Sequence, residues 1–176
     1  MKEGFSQIFM ISSTGGKPIQ VTTEKFNHYS FDWMSGSDGF VFSSNYTEDW
    51  EYDFRNSEIY SISVNGSNLQ QLTDRNGPDM GAAVSPDGKS IAYLGYEDKV
   101  QTYQINNLTI MDIDGGNKRT IDIELDRNIE SLKWSADGKN LYFMYDNYGN
   151  TKIATTNLTG RVRKLIDDVG GTSIGR

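Results

Sequence analysis

An Asp-Gly dipeptide between two strand-like runs occurs three times in the sequence, and this regularity constrains the fold more than any other feature. The copies are Asp38-Gly39, Asp87-Gly88 and Asp137-Gly138, so the spacings are 49 and 50 residues. Asp-Gly flanked by alternating apolar residues is a strong local signal for a β-hairpin. A regular period of this length indicates a repeat architecture.

A second, glycine-rich hairpin alternates with the first. Each copy starts with a short apolar strand, and the opening apolar residues are Ile8, Ile59, Leu108 and Ile153, at spacings of 51, 49 and 45 residues. One hairpin of each type gives four antiparallel strands per repeat, which is typical of a propeller blade. No window sustains the apolar spacing of a helix. The 36% hydrophobic and 12% aromatic content suits alternating strands.

The sequence therefore predicts an all-β fold, a partial β-propeller of four-stranded antiparallel blades that forms a single fragment over residues 1–176. Residues 6–22 form a half-blade of two outer strands, and three whole blades cover about 27–75, 78–121 and 128–168. We interpret both ends as cut, because nothing supplies the inner strands of the half-blade. An open propeller leaves apolar faces between blades uncovered. We therefore expect the fragment to self-associate.

Charge and composition exclude several classes of function. A net charge of -7 and the lack of a basic stripe argue against a nucleic-acid partner. The absence of cysteine excludes disulfides and thiolate metal sites but leaves the compartment open. No apolar run has the length of a membrane span or a signal peptide. We expect a soluble protein that does not contact membrane, in the bacterial cytoplasm or the periplasm.

A search for catalytic or metal-binding groups finds none. His28 is the only histidine, no serine or carboxylate neighbours it at a meaningful spacing, and we expect it in a surface loop. Ser173 lies between Gly171 and Gly175 as in a nucleophile elbow, but no strand and helix flank it. Residues 74–79 have the composition of a calcium loop without its alternating acidic ligands or closing Glu. The sequence predicts no catalytic residue, no metal and no cofactor.

Two tryptophans hold equivalent positions at the ends of the first strands of their blades. Large aromatic side chains at such positions, here Trp33 and Trp134, normally build the core between repeats. We expect that role for both residues, with stacking on a sugar or peptide as the alternative.

The connections between the second and third strands of the blades are the candidate binding surface. Residues 45–56 are acidic and aromatic and include Trp50 and Tyr52, residues 96–106 include Tyr103, and the third connection is short. Insertions in repeats map to one face, and long loops with aromatic and charged residues often bind partners. Trp50, Tyr52 and Tyr103 are therefore the candidate binding residues. The alternative is a solvated acidic loop whose aromatic side chains pack back onto the blade.

The hairpin motifs also carry a family resemblance over nearly the whole chain. The motifs are Ser-Pro-Asp-Gly-Lys at 85–89, Ile-Ala-Tyr at 91–93, Glu-Ile-Tyr at 58–60 and Gln-Leu-Thr at 71–73. This pattern resembles the propeller repeats of TolB-like proteins and of the prolyl oligopeptidase family of serine peptidases. The first copy departs from it with Gly-Ser-Asp-Gly at 36–39, and the third has Ala136 for Pro. The tail, 168–176, and the long loops are most similar to the acylaminoacyl peptidase and dipeptidyl aminopeptidase branch.

The resemblance implies a parent serine peptidase in which a propeller covers an α/β-hydrolase domain and restricts access to short peptides. A Ser-His-Asp triad and an oxyanion hole would lie in the hydrolase domain, and this sequence supplies none of those positions. The implied partners are the hydrolase domain of the same chain and short peptides, and the segment alone would be inactive. One alternative is a TolB-like propeller that only binds protein. Another, a propeller lyase acting on acidic sugars, needs metal-binding histidines and is disfavoured by the single histidine.

Overall fold

Four consecutive antiparallel sheets make up residues 4–169, the part of the chain that the computed structural model describes. The first sheet has two strands, β1 (Phe9–Met10) and β2 (Ile19–Gln20). The second sheet contains β3 (His28–Trp33), β4 (Gly39–Ser44), β5 (Glu58–Ser63) and β6 (Gln70–Gln71). The third contains β7 (Asp79–Val84), β8 (Ser90–Gly95), β9 (Asn107–Asp112) and β10 (Arg119–Ile121). The fourth contains β11 (Ile129–Trp134), β12 (Asn140–Asn147), β13 (Asn150–Asn157) and β14 (Val162–Ile166).

Strands pair in chain order within each sheet, as in propeller blades, so the predicted all-β class is confirmed. We call the four-stranded sheets the first, second and third blades, and the two-stranded sheet the half-blade. The only helical turn in the described part is a 3-10 turn at Ser35–Ser37.

The first strands of the three blades line a common cleft of about 490 Å³. Each of these strands, β3, β7 and β11, has a shift in register around its third residue, which is Ser30, Gly81 or Ser131. All three residues have left-handed backbone, with φ of 48°, 66° and 59°. An extra residue in one strand of a pair bends that strand and increases its twist. The same bulge therefore shapes the inner wall of every blade.

The Asp-Gly turn of the second blade is closed by its own side chains. The Ser85 hydroxyl donates to the Asp87 carboxylate at 2.6 Å, and that carboxylate accepts the Lys89 N–H at 3.1 Å. Gly88 has a φ of +70°, which glycine adopts at little steric cost. The third blade repeats this arrangement with Ser135, Asp137, Gly138 and Lys139.

The first blade corrects the sequence prediction at this turn. Strand register aligns Ser37, not Gly39, with Gly88, and Ser37 holds the left-handed conformation with a φ of 57°. Gly39 is instead the first residue of β4, where a Cβ would lie 2.6 Å from the Ile62 carbonyl oxygen. Asp38-Gly39 was therefore the wrong counterpart, since its glycine serves a close approach between strands and not the turn.

Apolar side chains fill each junction between neighbouring sheets. Between the half-blade and the first blade, Ile8 and Val21 pack with Phe40, Phe42, Tyr60 and Ile62. Between the first and second blades the buried residues include Val41, Ile59, Leu72, Ile91 and Met111. Between the second and third blades they include Leu94, Leu108, Leu132, Leu141 and Phe143. Burial of a side chain of this size contributes about 1.5–3 kcal/mol, so these junctions stabilise the stack.

The backbone of β7 is held by side chains from both neighbouring blades. The Asp32 carboxylate in the first blade accepts the Val84 N–H at 3.0 Å. The Trp134 indole N–H in the third blade donates to the Ala83 carbonyl at 3.0 Å. The expected packing of Trp134 between blades is therefore confirmed.

The inner part of the first blade is uncovered on the side that faces the half-blade. Trp33 is 41% exposed and packs at a tilt of 41° against Phe40 of its own blade, with ring centroids 4.2 Å apart, so the expectation of packing between blades is wrong for this residue. Phe31 is 58% exposed, whereas its counterparts Ala82 and Leu132 are buried. The half-blade supplies only the two outer strands in the described part of the chain, which leaves these inner aromatic residues without a neighbouring strand.

A glycine in the second hairpin turn of each blade touches the backbone of the preceding sheet. A Cβ at these positions would lie 2.7 Å, 3.0 Å and 1.9 Å from the carbonyl oxygens of Val21, Leu72 and Asp122, and the glycines are Gly66, Gly115 and Gly160. All three have positive φ. We call them the rim glycines, because they allow the outer edges of neighbouring sheets to come together.

Substitution of a rim glycine should destabilise the chain more than substitution of a glycine with similar backbone in open space. Gly160→Ala introduces both left-handed strain and a collision with Asp122, whereas Gly149→Ala, at a φ of +80° with nothing within 4 Å, introduces only the strain. We expect a loss of about 1 kcal/mol for Gly149→Ala and a further 1–3 kcal/mol, approximately, for Gly160→Ala. Urea unfolding of both variants measures this, and equal losses would contradict the packing role.

The open side of the first blade predicts self-association through Phe31 and Trp33. Light scattering across a concentration series should give a mass above that of a monomer, because exposed apolar surface is removed from water on contact. The double variant Phe31→Ser, Trp33→Ser should shift the mass towards the monomer. Tyr148→Ser, at a side chain that is 94% exposed on a hairpin tip, is the control and should leave it unchanged. A monomeric unmodified chain at the highest concentration would contradict this prediction.

Candidate functional site

The single histidine of the chain is a buried structural residue, which corrects the prediction of a surface loop. His28 begins β3, and its Nδ1 lies 2.9 Å from the Ser6 carbonyl oxygen while its Nε2 lies 2.6 Å from the Tyr46 hydroxyl. A carbonyl only accepts, so Nδ1 carries the proton and Nε2 accepts from Tyr46 in the neutral ring. Burial lowers the pKa of His28, against opposing effects of the Ser6 carbonyl and Glu24. The Nδ1 contact joins the segment before β1 to the first blade, and the Nε2 contact ties β3 to the loop after β4 within that blade.

A second buried polar contact lies between the outer two strands of the first blade. It joins Thr73, just after β6, to the backbone and to the Glu58 side chain of β5. The Thr73 hydroxyl oxygen accepts the Ile59 N–H at 2.8 Å, and Thr22 makes the same contact with Ile8 at 2.9 Å. Thr73 also donates its proton to Glu58 at 2.5 Å. Glu58 is buried, and burial raises its pKa to about 7, against the opposing effect of the Thr73 hydrogen bond.

An ion pair next to Glu58 links the first and second blades. Arg75 pairs with the Asp79 carboxylate, which is 1% exposed. Asp79 also donates its N–H to the Ser57 carbonyl at 2.7 Å, which joins the start of β7 to the start of β5. Burial raises the pKa of Asp79 although Arg75 opposes that effect. These contacts hold the linker between β6 and β7 against the end of the loop that precedes β5.

Residues 74–79, which have the composition of a calcium loop, are organised by this ion pair. Arg75 occupies one oxygen of Asp79, the acidic residue that is buried there. Within residues 4–169, no cluster of three or more histidine or carboxylate side chains is arranged to hold a metal ion.

The long loop between β4 and β5 is held in a defined shape by Asn45. The Asn45 amide donates to the Asp53 carbonyl at 2.8 Å, and its oxygen accepts the N–H and hydroxyl of Thr47 at 3.1 and 2.7 Å. Inside this bracket the Tyr52 and Asp53 N–H groups both donate to the Asp49 carbonyl. The loop therefore presents its side chains from an ordered frame.

The loop between β8 and β9 is closed by Gln104. Its amide nitrogen donates to the Asp98 carboxylate at 2.8 Å, and its oxygen accepts the Lys99 N–H at 2.8 Å. The same carboxylate accepts the Val100 N–H at 2.7 Å, and these hydrogen bonds lower the pKa of Asp98, with a smaller contribution from the positive charge of Arg55. Arg55 belongs to the other long loop, so the two loops are close enough for their charges to interact.

The connections between β4 and β5, β8 and β9, and β12 and β13 carry the five most exposed large apolar side chains among residues 4–169. Their exposures are 86, 76, 90, 60 and 94% for Tyr52, Phe54, Val100, Tyr103 and Tyr148. The three connections join equivalent strands in consecutive blades, so they emerge on one face of the propeller. We call this set of five residues the loop face.

The candidate binding residues named from the sequence differ in their surroundings. Tyr52 and Tyr103 belong to the loop face, whereas Trp50 is half-buried and meets Phe5 edge-on at 5.9 Å. Sequence reasoning missed Tyr148, because its connection is short. The sequence signal that could have located it is Gly149 between Asn147 and Asn150, which suits a two-residue hairpin turn, and the structure has the matching φ of 51° and 80° at Tyr148 and Gly149.

Two further sequence interpretations are limited by the described range. The Gly-x-Ser-x-Gly pattern at Ser173 lies outside residues 4–169. Within that range, no helix has the length and apolarity needed to span a membrane.

Comparison with solved structures identifies the fold. TolB from Acinetobacter baumannii superposes with a TM-score of 0.71 at 21% identity, over 91% of this chain and 37% of TolB. The fold is a TolB-like β-propeller, and the prediction of a partial propeller is confirmed. No family model matches the chain.

Comparison with curated sequences finds similarity to proteins named dipeptidyl-peptidase 5. The Porphyromonas gingivalis protein is 25% identical over 154 residues, which is 85% of this chain and 22% of that protein. The Trichophyton schoenleinii protein is 31% identical over 140 residues, which is 72% of this chain and 19% of that protein. The chain thus spans about a fifth of the length of the curated relatives that it matches.

The buried Glu58 predicts a stability that falls as the pH rises. The folded chain keeps this proton up to about pH 7, whereas the ordinary value for glutamate is 4.5. Between these values the unfolded state binds fewer protons, so the free energy of unfolding decreases with increasing pH, by at most about 1.4 kcal/mol per pH unit from this group.

Urea unfolding from pH 4.5 to 8 of the unmodified chain and of Glu58→Gln measures this effect. The slope should become shallower in Glu58→Gln and retain only other contributions such as that of Asp79. Glu97→Gln, at an exposed glutamate, is the matched control and should keep the original slope. An unchanged slope in Glu58→Gln would show that the Glu58 carboxyl is not protonated in the folded chain.

Proposed function

We propose that this chain is the β-propeller portion of a serine peptidase of the prolyl oligopeptidase family, of dipeptidyl-peptidase type. In this proposal it gates the access of short peptides to a hydrolase domain elsewhere in the same polypeptide. The observation that carries the proposal is the similarity of most of the chain to segments of proteins named dipeptidyl-peptidase 5. A segment that covers about a fifth of those proteins leaves room for a separate catalytic domain.

The chemistry of the single histidine supports a catalytic centre outside this segment. A Ser-His-acid triad needs an imidazole nitrogen free to take the proton of a serine hydroxyl. Both nitrogens of His28 are engaged, with the Ser6 carbonyl and the Tyr46 hydroxyl, and the side chain is buried. Peptide hydrolysis by such a triad would therefore use a histidine supplied by another part of the polypeptide.

The cleft between the first strands supports the gating role. The cleft of about 490 Å³ is large enough for a short stretch of extended peptide. Met80 and Glu130 are exposed in the cleft, and the exposed Tyr29 directly precedes Ser30, which lines it. In a complete ring these first strands would line the central channel, which is where a gate for short peptides would lie.

The coding sequence of the intact polypeptide and its activity test the peptidase proposal together. We expect a Gly-x-Ser-x-Gly motif between a strand and a helix, followed by an aspartate and a histidine. The purified polypeptide should release dipeptides from short peptides, lose activity when that serine is changed to alanine, and leave folded proteins intact. A polypeptide of further blades alone, or one that cleaves folded protein as fast as short peptides, would contradict the proposal.

A TolB-like propeller that binds a protein partner is the second candidate. The observations in its favour are the superposition on TolB and the exposed apolar residues of the loop face. Absence of any hydrolase domain in the intact polypeptide would favour this function over the first.

A further inference from the structure

The loop face combines apolar tips with a strongly acidic setting. The two long loops, residues 45–56 and 96–106, contain six acidic side chains and only two basic ones, Arg55 and Lys99. Five large apolar side chains with exposures of 60–94% stand on these loops and on the neighbouring hairpin tip. Aromatic side chains bury about 150–250 Å² each, so the four tyrosine and phenylalanine residues together approach one partner's share of a standard interface, about 800 Å².

The frames of the loops favour binding without large rearrangement. Asn45 brackets one loop, and Gln104 and Asp98 close the other, each by two or more hydrogen bonds. The second loop is also tied to the linker before β7, where the Asp98 N–H donates to the Asn76 carbonyl at 2.8 Å. Aromatic side chains on a fixed frame lose little conformational entropy on binding, which favours affinity.

The charge of the loops indicates the chemistry of the partner. Permanent interfaces are large and apolar, and charged residues are depleted from their cores. Six carboxylates around a few aromatic tips suit a reversible contact in which basic groups meet the acidic rim and apolar groups meet the tips. Arg55 already lies over the Phe54 ring at 5.7 Å, so an aromatic residue of this face stacks with a cation within the chain itself.

We infer that the loop face binds a separate polypeptide segment in which lysine or arginine alternates with apolar side chains. The inference rests on the loop face alone and not on a hydrolase domain, so failure of the peptidase proposal leaves it standing. Lysine and arginine stems would cover Tyr52, Phe54 and Tyr103 while their charged ends reach the carboxylates.

Fluorescence anisotropy with two labelled peptides on the 176-residue chain tests the inference. One peptide alternates lysine with leucine, and the other has glutamate in place of each lysine. We expect saturable binding of the lysine peptide, at least about tenfold weaker binding of the glutamate peptide, and weakening at high salt because exposed charges are screened.

Variants separate the loop face from other exposed apolar surface. Tyr52→Ser, Phe54→Ser, Tyr103→Ser should weaken binding of the lysine peptide at least about tenfold. Phe9→Ser, Ile19→Ser, at residues that are 57% and 56% exposed on the half-blade, is the matched control and should bind as the unmodified chain does. Glu48→Lys, Asp49→Lys keeps the aromatic tips, leaves the two loops with equal numbers of acidic and basic side chains, and should abolish the preference between the two peptides.

Three results would overturn the inference. They are equal binding of both peptides, undiminished binding by the triple loop variant, and absence of saturable binding by an unmodified chain that circular dichroism shows to be folded. Binding of an isolated hydrolase domain through the same residues, with displacement of the lysine peptide, would also overturn it, because the occupant would then be part of the same polypeptide.

Discussion

The position of the second blade depends on hydrogen bonds from both of its neighbours to one short stretch of β7. Asp32 accepts the Val84 N–H and Trp134 donates to the Ala83 carbonyl, so adjacent backbone groups are satisfied from opposite sides. A backbone group left unpaired away from water costs about as much as a lost hydrogen bond. The apolar junctions could tolerate small sliding of one sheet over the next, but these directional contacts fix the register between blades.

Much of the architecture was predictable from the sequence, because each strand pair is local and each turn has its own chemistry. Asp87 and Asp137 signal their turns correctly, since their carboxylates close hydrogen bonds within five residues. The first copy misled the prediction because its glycine at 39 is required by the Ile62 backbone across the sheet, while Ser37 takes the strained turn position. A contact between residues far apart in the chain is invisible to a local motif.

The candidate site was only partly predictable for a related reason. Loop length and composition pointed to Tyr52 and Tyr103, but the burial of Trp50 depends on Phe5 and the exposure of Tyr148 depends on a two-residue turn. His28 looked like a loop residue because it lies at the entry to the first blade and no serine or carboxylate neighbours it at a meaningful spacing, yet its partners Ser6 and Tyr46 lie 22 and 18 residues away. Polar residues gain their roles from tertiary neighbours, whereas alternating apolar residues reveal theirs locally.

The rim glycines have a consequence for the shape of a complete ring. Blades radiate from the axis, so the separation of neighbouring sheets at the inner edge and at the outer edge together defines the angle between them. Direct contact of a Cβ-free residue with the preceding backbone keeps the outer separation small. A small separation there means a small angular step from blade to blade, and more steps of that size are needed to complete a circle. The curvature of the propeller is therefore encoded at its circumference, by the absence of a single carbon atom in each repeat.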